Sequence, residues 1–181
     1  MRQIPKEVEK IQNDLNSFKY DYEQLKSSVY FTGERVEKEK KCICTSGAIY
    51  AAYKLEKLFG IMVVEIFFIG GPRHFIYIYN YKGKYGSIAK SKYKELLGKP
   101  PIFDSINDLV YCYQEQWSKI SKNKIRKYIV RNLDEDVLRN WRTGYTPIRN
   151  IEIKMPWFRK NYIKKPKKMP EEYYEFIEAF S

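Results

Sequence analysis

One histidine, His74, and three cysteines are all that the chain offers in imidazole and thiol. Any reaction that needs an imidazole base therefore runs through a single position. An odd number of cysteines does not close into a disulfide frame and points to free thiols. Long apolar runs are missing too: the longest, Ile61 to Val64 and on past Glu65 to Ile69, falls far short of the roughly 20 residues that a helical membrane span needs. The opening Met-Arg-Gln-Ile-Pro-Lys-Glu has neither the apolar stretch nor the small-residue cleavage site of a secretory leader. The expectation is a cytoplasmic protein without a membrane span.

What is present excludes a disordered chain. Apolar residues make up 44% of the sequence and aromatic residues 17%, with 17 tyrosines, and 181 residues suit a single domain with a real core. The net charge of +12 is concentrated: residues 119–168 carry 16 Lys or Arg against 4 Asp or Glu, and the remainder is balanced. We read this stretch as a basic C-terminal extension of the one domain, about 119–168. Within it, Trp157-Phe158-Arg159-Lys160-Asn161-Tyr162 precedes Lys164, Lys165, Lys167 and Lys168. Cations interleaved with aromatic rings suit a polyanion, so Arg159, Lys160, Lys164, Lys165, Lys167 and Lys168 are candidate contacts for nucleic acid or an acidic protein partner. The plainer alternative has Trp157 and Tyr162 tacking the segment to the core while the lysines stay in water.

Hydrophobic spacing outlines an α+β chain. Val8, Ile11, Leu15 and Phe18 predict an amphipathic helix after Pro5, while residues 27–41 read as a break and a charged approach. Ala48, Ala51, Ala52, Leu55, Leu58 and Phe59 predict a close-packed central helix ended by Gly60. Strands are expected over 61–69, 75–81 and 84–89 in an antiparallel meander. A helix follows over 106–117 with Ser105 as cap, a further helix or two short ones over 125–141, an irregular stretch over 143–170, and a closing acidic helix over 171–180.

The chemistry-bearing residues fall where these elements meet. Cys44 opens the central helix, where unpaired N–H groups and the helix dipole favour an anion, lower a thiol's pKa and, at Cys44 and Thr45, offer an oxyanion site. His74 begins the next strand but one. If Lys82-Gly83 is a two-residue turn, Tyr81 faces Lys84, Ile78 faces Ser87 and His74 faces Ser91, whose hydroxyl would fix the imidazole tautomer; a turn one residue longer brings Lys90 or Lys92 opposite instead. Cys42, Cys44, His74 and Cys112 together also make a candidate zinc set, although Cys-x-Cys lacks the paired knuckles of a zinc site.

The runs Cys44-Thr-Ser-Gly-Ala-Ile-Tyr-Ala-Ala, Arg73-His74-Phe75 and Lys84-Tyr-Gly-Ser-Ile-Ala-Lys-Ser91 resemble the transglutaminase-like, papain-like cysteine hydrolases, in particular a poorly characterised prokaryotic group among them. The resemblance covers about 36–117. It implies a central helix packed on an antiparallel sheet with further helices at the C-terminal side. It also implies catalysis by Cys44 as nucleophile and His74 as base and acid, with no cofactor or metal, on a protein, peptide or other amide substrate. The superfamily's third residue is usually Asp or Asn; here the matching strand offers Ser91. Either Ser91 substitutes, or the fold is catalytically silent and serves binding.

Overall fold

The computed structural model describes residues 3–27, 29–71, 73–139, 145–147 and 160–180. The chain begins with α1 (Lys6–Ser17), β1 (Lys19–Tyr20), α2 (Tyr22–Ser27), β2 (Val29–Phe31), α3 (Gly33–Glu39) and β3 (Lys41–Cys42). There follow α4 (Cys44–Phe59), β4 (Met62–Phe68), β5 (Arg73–Tyr81), β6 (Lys84–Ile88), a short 3-10 turn over Lys94–Leu96, and α5 (Ile106–Ser118). The last elements are β7 (Ile125–Asn132), α6 (Glu135–Leu138), β8 (Tyr145–Pro147), β9 (Lys160–Asn161) and α7 (Glu171–Phe180).

Local chemistry explains the boundaries that matter for the site. Ser46 Oγ accepts the Ile43 N–H at 3.0 Å, closing the first turn of α4, and Gly60 ends that helix at φ +84°. The β5–β6 hairpin turns at Lys82 and Gly83, both with positive φ, and Asn80 Oδ1 accepts the Gly83 N–H. The resulting register pairs Tyr81 with Lys84 and Ile78 with Ser87, as the two-residue turn predicts. Ser105 caps α5 by accepting the Asp108 N–H at 3.1 Å.

β6, β5, β4, β7 and β9 form, in that order, an antiparallel sheet. Its first face packs Val63, Phe75, Tyr77 and Tyr79 against α4 and α1 through Leu15, Ala48, Ala52 and Leu55. Its second face packs Ile66, Ile76 and Ile78 against α5 and α7 through Leu109, Tyr113, Trp117 and Phe176. Alternation along β5 therefore sends Phe75 to the first face and its neighbour His74 to the second.

The structure departs from the sequence expectation in several places. Residues 125–132 are a strand, not a helix: Ile125, Tyr128, Ile129 and Val130 read equally well at either period, and the open edge of β4 supplies the ladder that decides it. The charged approach to Cys44 holds a seven-residue helix, α3, because Thr32 Oγ1 accepts the Arg35 N–H and Val36 is buried against the core. Half of 143–170 lies outside the described residues, and the described half, expected to be irregular, holds the short strands β8 and β9.

Candidate active site

Cys44 is the first residue of α4 and is half-buried. The helix comes this close to the chain after β6 because residue 47 is glycine, since a Cβ there would meet Lys90 Cβ at 2.8 Å. Burial pushes the Cys44 thiol above its ordinary value, opposed by hydrogen bonds from the Phe75 backbone and from the side chain and backbone of Thr45. The lowering expected at a helix start is thus outweighed by desolvation, and the resting group is a neutral thiol.

His74 is 4% exposed, and its Nε2 lies 2.9 Å from the Leu96 carbonyl oxygen. A carbonyl only accepts, so Nε2 carries the proton and Nδ1 is left as the acceptor. Burial pulls the imidazole down to about 4, with the Lys99 ammonium adding to the effect and the Leu96 hydrogen bond opposing it. Thiol and imidazole rest as a neutral pair.

Ser91 does not reach His74 through the sheet. β6 ends at Ile88, where it pairs with Tyr77, because α1 captures the chain that follows. Gln12 Nε2 donates to the Ala89 carbonyl at 2.9 Å and Gln12 Oε1 accepts the Ala89 N–H at 3.0 Å. Lys90, the next residue, donates to the Leu15 and Phe18 carbonyls at the end of α1. Ser91 then accepts the Tyr93 N–H at 3.0 Å in a tight turn, and the 3-10 turn beyond it brings the Leu96 carbonyl onto Nε2. Sequence reasoning missed Leu96 because a backbone acceptor leaves no mark in residue type.

Cys44, His74 and Ser91 nevertheless line one pocket of about 180 Å³. The rest of its lining comprises the cations Arg73, Lys90 and Lys92, the rings of Tyr20, Phe68, Tyr93 and Trp117, and the aliphatic Leu25 and Leu96. Lys92 Nζ lies 3.9 Å from the Tyr22 ring centroid and 4.6 Å from that of Tyr20. Arg73 donates to Glu65 Oε1 at 2.9 Å. Glu65 is fully buried in β4, and its other oxygen accepts from Arg131 Nε and Nη2 at 2.9 and 2.6 Å. Glu65 carries a signal in the sequence, as the one acid inside the longest apolar run.

The other candidates sit elsewhere. Cys42 and Cys112 are buried, each pushed up to about 12 by desolvation. Among the described residues no cluster of three or more His, Cys, Asp or Glu is placed to hold a metal, so the four-residue zinc set is not assembled. Lys164, Lys165, Lys167 and Lys168 are exposed, with the Lys164 backbone tied to Asn107 of α5. Lys160 lies in β9, and Arg159 falls outside the described residues. No helix among the described residues is long and apolar enough to cross a membrane.

Two comparisons bear on this arrangement. Residues 41–164, from β3 to just beyond β9, match the family model described as Vasohibin. No curated protein matches the chain.

Proposed function

The chain belongs to the vasohibin family, a family of cysteine-hydrolase type with a transglutaminase-like, papain-like fold, and from that premise we propose that it cleaves amide bonds in acidic polypeptides through a thioester on Cys44. The observation that carries this reading is the shared pocket. A helix-start thiol and the chain's only imidazole open onto the same space, and Leu96 holds the proton on Nε2 so that Nδ1 is basic.

In this mechanism Nδ1 of His74 takes the thiol proton as Sγ attacks the carbonyl carbon. The oxyanion is held by backbone N–H groups of Cys44 and Thr45 at the start of α4, where they have no helical partner. The imidazolium then gives its proton to the leaving amine, the C–N bond breaks, and a thioester remains. Water, deprotonated by His74, releases the acid and restores the thiol; an amine in place of water would make the same centre an acyl transferase. An imidazole with a resting pKa of about 4 is a weak base, so the thiolate forms only as substrate displaces water and the charges develop together.

The substrate class follows from the wall of the pocket. Arg73 and Lys92 favour carboxylates beside the scissile bond, and Tyr93 and Trp117 favour a large apolar or aromatic side chain there. The family is one of tubulin carboxypeptidases, and an acidic polypeptide substrate agrees with that. The exposed Lys164, Lys165, Lys167 and Lys168 would add a salt-dependent recruiting surface for the same kind of chain. Incubation with a library of acidic peptides, read by mass spectrometry, tests the reading: cleavage that disappears in Cys44→Ala supports it, and intact peptides throughout would refute it.

A further inference from the structure

Three consecutive carbonyls of the turn that serves His74 are each caught by a buried side chain. Glu95 O accepts from Lys99 Nζ at 2.8 Å, Leu96 O accepts from His74 Nε2 at 2.9 Å, and Leu97 O accepts from the Tyr113 hydroxyl at 3.0 Å. Lys99 is 4% exposed and Tyr113 is fully buried. The two are joined to each other. The Lys99 ammonium lies 4.7 Å from the Tyr113 ring centroid, and Ser87 Oγ bonds the Tyr113 hydroxyl at 2.8 Å while accepting the Lys99 N–H at 3.0 Å. Ser87 and Lys99 also exchange both backbone hydrogen bonds, at 2.9 and 3.0 Å.

Such an arrangement is costly unless it serves something. A buried ammonium spends most of its solvation, and here it faces the Glu95 carbonyl and the rings of Tyr113 and Phe176. A three-residue 3-10 turn has weak internal bonding and would not hold its own geometry. The acceptor on His74 is a backbone atom, so it cannot find the imidazole by changing rotamer; it is only as well placed as the peptide that carries it.

We propose that Lys99 and Tyr113 are positioning residues: by gripping Glu95 O and Leu97 O on either side, they fix the Leu96 carbonyl on Nε2 and so keep His74 in the tautomer whose Nδ1 accepts the Cys44 proton. The proposal rests on the reading of Cys44 and His74 as nucleophile and base.

Because His74 is the only histidine, its ring nitrogens are identifiable by NMR without assignment of the rest. In the wild-type protein at neutral pH, long-range nitrogen–proton correlations are expected to show the Nε2–H tautomer with a slowly exchanging Nε2 proton. Tyr113→Phe and Lys99→Met should each mix the tautomers and speed exchange of that proton by about tenfold. Each should also slow alkylation of Cys44 by iodoacetamide by about tenfold, and Lys99→Arg should restore both readings. If Lys99→Met fails to fold, Tyr113→Phe, which keeps the ring, decides the matter. An unchanged tautomer and exchange rate in folded Tyr113→Phe would overturn the proposal even if the protein proves to be a hydrolase. Loosened His74 in variants of a protein that cleaves no peptide would uphold the clamp and remove the proposed function instead.

Discussion

The two faces of the sheet prepare their halves of the site by different means. On the first face, Cys44 is set by its own neighbourhood: Ser46 closes the turn, Gly47 admits the crossing chain, and α4 provides the N–H groups. On the second face, His74 is set at long range, by a carbonyl 22 residues away held through α5 and a buried lysine. The thiol's placement is thus a local feature of one helix, whereas the imidazole's depends on several segments agreeing. The halves meet because adjacent residues of β5, His74 and Phe75, point to opposite faces while Phe75's backbone touches the thiol.

The largest effect is expected from Cys44→Ala, which should remove peptide cleavage altogether, a loss of at least about 10⁴-fold in kcat; circular dichroism should show an unchanged fold, since α4 keeps its cap. Glu65→Ala leaves the Arg131 guanidinium buried without its carboxylate and should cost roughly 3–5 kcal/mol in denaturant unfolding. It also releases Arg73 from its anchor, so KM for acidic peptides should rise more than kcat falls.

The neutral state of His74 gives a smaller, pH-dependent effect. Its folded-state value near 4 lies below the ordinary 6.5, so the unfolded chain binds the proton more readily. The stability this contributes is complete above pH 6.5 and lost as pH falls toward 4, about 3 kcal/mol in all. Urea unfolding across that range should show the loss, and His74→Gln, which still donates to Leu96, should flatten it. The same value predicts that the acid limb of kcat/KM lies near pH 4 instead of near 6.5. The smallest effect is expected at Ser91→Ala, below about tenfold in kcat/KM, because the Nε2 proton already has its acceptor.

The contrast also explains what could be read from the sequence. α1, α4, the β4–β6 meander with its hairpin register, α5 and α7 are written in local spacing and caps, and all are present. So is the pairing of Cys44 with His74 in one pocket. What lay beyond reach was non-local. β7 becomes a strand because β4 has a free edge, and β6 stops at Ile88 because Gln12 and Lys90 bind the next residues to α1. Leu96 enters the site as a carbonyl, for which any residue type would serve.

Whether Cys44 acts as a nucleophile served by His74 is decided by alkylation with iodoacetamide followed by intact and peptide mass spectrometry. Cys44 is expected to react well before Cys42 and Cys112, at a rate that rises with pH through and beyond the ordinary thiol range and that His74→Ala slows markedly. Three cysteines that react equally slowly, with no change in His74→Ala, would contradict that role.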